Sequence, residues 1–184
     1  MGNDKAADAD SRKEQGMKLF RFGDYEEAAL LFGEAYALYV DLNNEKGQGE
    51  TLNNLGVVHI QEGRWDQAAE AFDKAREIFE ALGDKNGEAH TLGHQGTLYR
   101  HRGDKEKAVE HLKAAADLFR EVGGQEKEAV TLRLISRIRL GQARWFEALH
   151  FYDLSLACVE QPGVKERVLR RLIQIPLNML ARPQ

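Results

Sequence analysis

Histidine and cysteine are the residues of this chain whose types and spacing could do chemistry. His90 and His94 are four apart, so on a helix both imidazoles face one side and could share a metal ion. His101 lies about two turns further on, but no carboxylate is placed by sequence to complete a site. Contact with a peptide, or with solvent, competes with metal binding for this pair. Cys158 and His150 are separated by about 12 Å of helix rise, too far for a nucleophile and its base. Cys158 then reads as a small buried hydrophobe, and His59 as a hydrogen-bonded core residue. No G-x-x-x-x-G-K loop, G-x-G-x-x-G turn, H-E-x-x-H pair or paired-cysteine motif occurs. The expectation is no catalytic residue, no metal and no cofactor.

The elements that would position these residues emerge from self-comparison. Cut at Ser11, Thr51, Thr91 and Thr131, the chain yields four blocks of 40 residues that align without a gap. The sixth residue of each is Gly16, Gly56, Gly96 and Ser136. The thirteenth is Gly23, Gly63, Gly103 and Ala143. The eighteenth is alanine throughout: Ala28, Ala68, Ala108 and Ala148. The twenty-second is Phe32, Phe72, Leu112 and Tyr152. Within block two, Leu52, Leu55, Val58 and His59 have helical spacing, and Gly63 then breaks the pattern. A second apolar stripe, Trp65, Ala68, Ala69, Phe72, Ala75, Ile78 and Phe79, ends at Leu82-Gly83. Each block is therefore a hairpin of two helices of roughly 15 residues. Asp24 with Glu27 reads as a capping box. The mid-helix glycines imply that the partner helix comes very near, against the facing alanines, while Phe32, Phe72 and Tyr152 wedge between hairpins. Trp65 and Trp145 read as hairpin packing.

Composition narrows the class further. The chain has 184 residues, 42% hydrophobic and 30% charged, with 3 prolines, which excludes wholesale disorder. One cysteine permits no internal disulfide, and a reducing, cytoplasmic compartment is expected. No apolar run approaches the roughly 20 residues of a membrane span. The N-terminus has neither a signal-peptide core nor the Ser or Thr of a myristoylation signal. A net charge of -4 argues against general nucleic-acid binding. Residues 1–10 are small and polar and are expected to be disordered. Residues 164–184 are expected to hold a capping helix, ended or kinked at Pro176, and a tail.

The residues Gly56, Gly63, Trp65, Ala68, Phe72 and Ala75, with their counterparts in the other blocks, resemble the tetratricopeptide repeat. The period of 40 exceeds the common 34, and Glu80 and Arg120 stand where a proline usually ends the second helix. This is similar to the longer variant found in Pins-type adaptors, kinesin light chains and bacterial regulators. The resemblance implies an all-α solenoid in a right-handed superhelical arc, with repeats at 11–50, 51–90, 91–130 and 131–163. Block four departs most from the pattern.

The resemblance also implies a concave groove lined by the first helix of each hairpin, which holds a partner peptide. In family terms its walls are Lys13, Glu14, Met17, Phe20 and Arg21; Asn53, Asn54, Val57, Ile60 and Gln61; Gly93, His94, Thr97, Arg100 and His101; and Arg133, Leu134, Arg137, Leu140 and Gly141. In related repeats groove asparagines bond the peptide main chain, which singles out Asn53 and Asn54 against the alternative of an ordinary exposed pair. Residues 1–90 carry 10 basic and 19 acidic side chains, net -9, and residues 91–184 carry 16 and 11, net +5. Arg100, Arg133 and Arg137 are expected to share one stretch of groove and to read an acidic segment or a C-terminal carboxylate, unless they pair inside the array. Arg139, in a column that faces the second helix, is expected to pair internally, with Asp153 as a candidate. The reading is a non-catalytic protein-interaction scaffold. The alternative is a self-assembling or peptide-responsive regulator, with head-to-tail contact of the acidic front and basic back as one route to oligomers.

Overall fold

The computed structural model describes residues 2–159 and 163–180. These form nine helices and no strand: α1 (Gly2–Phe22), α2 (Tyr25–Asp41), α3 (Glu45–Gln61), α4 (Trp65–Leu82), α5 (Lys85–His101), α6 (Lys105–Glu121), α7 (Gln125–Leu140), α8 (Trp145–Ala157) and α9 (Val164–Leu180). Consecutive helices pair, and each first helix also packs on the second helix of the hairpin before it. The result is a solenoid of four hairpins with α9 against α8.

The 40-residue period holds in the structure, but its phase differs from the cut. First helices begin at Glu45, Lys85 and Gln125, six residues before each block start. Asn44 and Asp84 set two of these starts, their side chains accepting from Gly47 N (3.0 Å) and Gly87 N (2.9 Å). Thr51, Thr91 and Thr131 consequently sit mid-helix and buried. Each satisfies its hydroxyl on the carbonyl one turn back, at 2.7, 3.0 and 2.8 Å. Asp24 occupies an N-cap position but makes no side-chain cap bond, so no capping box forms there.

The front of the array corrects a second expectation. Residues 2–10 are helical, not disordered. Ala9 is fully buried beside Ala35 and Tyr39, and the Tyr39 hydroxyl donates to Asp10 Oδ1 at 2.5 Å. This apolar contact, this hydrogen bond and the Lys5–Asp41 ion pair at 3.4 Å anchor a segment whose composition alone reads as a loose end. At the rear, the helix runs on past Pro176 to Leu180. A proline removes one backbone donor, and here the remaining ladder carries the helix through.

Seven turns need a left-handed residue. Gly23, Gly63, Gly83, Gly103 and Gly123 supply it with φ between 65° and 89°, and Asn43 does so at 51°. Hairpin 4 uses Ala143 at φ 58°, which strains an L-residue. The mid-helix glycines meet the side chain of the twenty-second column, a ring at Phe32 and Phe72 and an aliphatic group at Leu112, rather than only the facing alanine: a Cβ on Gly56 would lie 2.4 Å from Phe72 Cε1. In hairpin 4, Ser136 replaces the glycine and donates to Ala148 O at 2.7 Å.

Two ion-pair clusters hold the second half. Arg139, 4% exposed, does not reach Asp153. It bonds Glu106 Oε1 at 2.7 Å and Gln142 Oε1 at 2.8 Å, and its Nε lies 3.2 Å from Glu147 without hydrogen-bond geometry. Asp153 is held by Arg170 at 3.2 Å instead. Arg120, standing where the shorter repeat has proline, bonds the buried Glu128 at 2.7 Å.

Candidate peptide-binding groove

The first helices α1, α3, α5 and α7 present the columns that could meet a ligand. Lys13, Met17, Glu50, Asn53, Asn54, Asn86, His90 and His94 line one cavity of about 430 Å³. A second, about 250 Å³, adds Phe20, Arg21 and Val57 to Met17, Asn54 and His94. A third, about 440 Å³ and mostly apolar, is walled by Leu112, Phe119, Val130 and Leu134 with His90, His94, Glu126 and Lys127. His94 borders all three, so they form one continuous channel with this ring at its centre.

The chemistry of the channel changes along its length. Near α1, Lys13 bonds Glu50 at 2.7 Å and lies over the Tyr39 ring. Burial works against its charge, but the Glu50 carboxylate outweighs that and holds the ammonium above its ordinary range. Asn53 Oδ1 is buried without a hydrogen-bond partner. His94 stacks on Phe72, with centroids 5.8 Å apart at 15°. Enclosure, reinforced by the nearby His90, pushes the His94 imidazole down to about 4, so it is a neutral, flat surface at physiological pH. His90 stands edge-on to Phe119 at 5.1 Å. Its Nε2 lies 2.8 Å from Lys127 Nζ, which also donates to Asn86 Oδ1 at 3.2 Å. Burial, then the Lys127 charge, hold the His90 ring below its usual range, and the ring accepts from the ammonium.

The structure thus brings together Lys13, Met17, Phe20, Asn53, Asn54, Val57 and His94. Others of the expected wall lie elsewhere. Thr97 satisfies its hydroxyl on Gly93 O at 3.1 Å. His101 stacks on Trp65 at 5.7 Å and serves the junction of hairpins 2 and 3, with Arg100 contacting its ring at 3.2 Å. Gln61 is exposed at the end of α3. Arg133 and Arg137 line a separate cavity at the rear end, so these two arginines do not converge with Arg100. His90 and His94 share the channel, and among the described residues no group of three His, Cys, Asp or Glu side chains is placed to hold a metal. Cys158 donates to Leu154 O at 3.3 Å, and burial pushes its thiol up.

Sequence reasoning missed Glu50, Asn86, His90, Glu126, Lys127 and Val130 as wall residues. All lie in the six residues that the block cut assigned to the preceding hairpin. The signal was present: Asn44 and Asp84, each three residues before a glycine whose N–H it caps, mark where the helices begin.

Comparison with known proteins agrees with this architecture. Residues 47–121 match the family model described as tetratricopeptide repeat. Over that stretch the sequence is that of tetratricopeptide repeats. Such arrays are in general protein-interaction modules and typically non-enzymatic scaffolds. No curated protein matches the sequence. Among solved structures, BtubC (BKLC) from P. vanneervenii superposes with a TM-score of 0.65 at 16% identity, covering 96% of this chain and 66% of that one. Aspartyl phosphate phosphatase F from Bacillus subtilis gives 0.81 at 15% identity, over 96% of this chain and 48% of that one. A kinesin light chain protein with nearly identical TPR-like repeats from Podosopora anserina gives 0.61 at 12% identity, with 94% and 96% covered. The chain spans just under two thirds of the first of these and about half of the second. At these identities the likeness is one of fold. No described helix is long and apolar enough to cross a membrane.

Proposed function

We propose that this repeat array is a non-catalytic interaction module that holds an extended segment of a partner protein along the channel of α1, α3, α5 and α7. The observation that carries the reading is Asn53 Oδ1, a buried acceptor with no donor in the wall of an open cavity. Leaving such a group unpaired costs about 1–3 kcal/mol, and a main-chain N–H of a bound segment would supply the donor. Asn54 stands beside it. The neutral His94 ring offers an apolar step to the next cavity, where Leu112, Phe119, Val130 and Leu134 can receive one apolar side chain of the ligand. Lys127, bonded only to neutral groups, favours a carboxylate at that rim. The protein works in a reducing, cytoplasmic compartment, in keeping with its unreactive single thiol.

Peptide-display selection on the immobilised protein tests this. Enriched peptides are expected to lose affinity about tenfold for the Asn53→Ala, Asn54→Ala double variant and for Val130→Asp, with unchanged circular dichroism. Selected peptides that bind both variants as tightly as the wild type would overturn the reading.

A further inference from the structure

Glycines inside the helices of this array serve as seats for aromatic rings. A Cβ added at Gly16 would meet Phe32 at 2.9 Å, one at Gly47 would meet Tyr39 at 2.5 Å, and one at Gly49 would meet Phe79 at 3.0 Å. Gly56 and Gly87 receive Phe72 and Phe79 in the same way. Glycine costs helix stability, and the bare Cα is what lets each ring lie on the backbone. Gly93, in the middle of α5, has nothing within 4 Å of its Cβ position. Gly33 shares that property but is exposed on α2. Gly93 is half-buried and opens into the cavity of about 440 Å³ between α5 and α7.

The surroundings of Gly93 suit a ring. Its column holds a long or polar side chain in the other hairpins, Lys13, Asn53 and Arg133. Hairpin 3 withdraws the side chain there, and the space is bordered by Leu112 and Phe119 of α6 and by Val130 and Leu134 of α7. Phe119 differs from its counterparts Tyr39 and Phe79. Where those rings lie on Gly47 and Gly87, the next residue in that column is Lys127, so Phe119 has no glycine seat and borders the cavity instead. His90 stands edge-on to it at 5.1 Å, and Lys127 Nζ lies over it at 5.7 Å from the ring centroid.

We propose that Gly93 is the seat for an aromatic side chain of the partner, laid against the α5 backbone as Phe72 is laid on Gly56. The inference rests on the channel being a peptide site and names the class of residue that its apolar cavity takes. An aliphatic side chain could fill part of the same volume. Only a flat ring can approach the bare backbone on one face and also meet the Phe119 and His90 rings in edge-to-face contact. The Lys127 ammonium adds attraction for a second π face beside Phe119. Gly93 is thus a specificity residue, selecting aromatic over branched aliphatic side chains.

The probe is N-acetyl-phenylalanine amide, with the cyclohexylalanine and leucine amides as controls, titrated into the isotope-labelled protein and followed by amide NMR. The aromatic amide is expected to shift the Gly93 and Val130 resonances with a dissociation constant on the order of 1 mM. The two aliphatic amides should bind about fivefold more weakly. Gly93→Leu should abolish the shift at Val130. Gly93→Ala should weaken it while melting no lower than the wild type, because the added methyl has room in the empty cavity. Peptides from the display selection should carry an aromatic residue at one fixed position. Its replacement by alanine is expected to cost about tenfold on the wild type and little on Gly93→Leu. The inference is overturned if the aliphatic amides bind as well as the aromatic one, or if Gly93→Leu keeps full affinity with native circular dichroism. It is also overturned if selected peptides depend on Asn53 and Asn54 yet tolerate alanine at every aromatic position, a result that leaves the channel reading intact. A selection that yields no binder counts against the channel reading, and the amide titration then decides the seat by itself.

Discussion

Replacing Gly56 with alanine sets two effects of opposite sign against each other. In an open helix the change gains about 1 kcal/mol of helix propensity. Gly33 provides that reference, because it lies in α2 with nothing within 4 Å of a built Cβ, so Gly33→Ala should stabilise by about 0.5–1 kcal/mol. At Gly56 the Cβ would sit 2.4 Å from Phe72 Cε1 and 2.7 Å from Cδ1 and Cζ. Ordinary carbon contacts are about 3.5–4.0 Å, so the ring must retreat by roughly 1 Å. Phe72 has no exposure and is packed by Ile60, Ala68 and Leu98 and stacked by His94. Overpacking of this kind costs about 1–3 kcal/mol, which against the propensity gain leaves a net loss of up to about 2 kcal/mol, and a deficit of about 1–3 kcal/mol relative to Gly33→Ala. Urea unfolding followed by circular dichroism measures it, compared at equal slope because a repeat array need not unfold in two states. The double variant Gly56→Ala, Phe72→Leu should lose less than the sum of its parts by about 1 kcal/mol, since the smaller side chain removes the clash. A Gly56→Ala protein as stable as Gly33→Ala would refute the claim that this glycine exists to admit the Phe72 ring.

The turns, the ion pairs and the central histidine give further tests. Gly103 has φ 85° and Ala143 φ 58°, so Gly103→Ala should cost about 1–2 kcal/mol while Ala143→Gly should be neutral to slightly stabilising in the same unfolding assay. Arg139, with Gln142 and Arg144 beside it, holds the Glu106 carboxyl at about 2 against an ordinary 4.5. That contribution is present above pH 4.5 and is lost as pH falls toward 2, so Arg139→Met should flatten the pH dependence of stability in that window. His94 stays neutral in the folded chain down to about 4, while an unfolded histidine protonates near 6.5. Stability should therefore rise with pH between 4 and 6.5. The His94 imidazole resonance should titrate near 4 by NMR, and a midpoint near 6.5 would contradict its enclosure.

Much of the fold was legible because the core columns recur. Ala28, Ala68, Ala108 and Ala148 recur in the eighteenth column, and all four are 4% exposed or less; Phe32 and Phe72 in the twenty-second are equally buried. What the periodicity could not fix was phase. Thr51 looks like a natural beginning, yet its hydroxyl is spent on Gly47 O within the helix. That six-residue error moved His90, Lys127 and Val130 out of the expected wall. The partners of the arginines were illegible for a different reason. Ion pairs join residues far apart in sequence, as Arg139 with Glu106 and Arg170 with Asp153 do, and no local spacing encodes which carboxylate comes within reach. The helical start of α1 depended likewise on Ala9 and Asp10 finding Tyr39, about 30 residues away.

The columns that build the stack and those that face the channel follow opposite rules. A stacking column must offer the same shape to each neighbour, so the eighteenth stays alanine and the sixth stays glycine, or serine bonded to the facing carbonyl. The channel positions change from hairpin to hairpin: Lys13 and Met17, then Asn53, Asn54 and Val57, then His90 and His94, then Lys127, Val130 and Leu134. Because the spacing between hairpins is fixed by the invariant set, a chain bound as proposed would meet the variable set in one order only: paired charge at Lys13, amide at Asn53, neutral ring at His94, apolar wall at Val130. Such a sequence of environments has a direction, and a ligand reversed or shifted by one hairpin would place its apolar side chain against the Lys13–Glu50 pair and its main-chain donors against hydrocarbon.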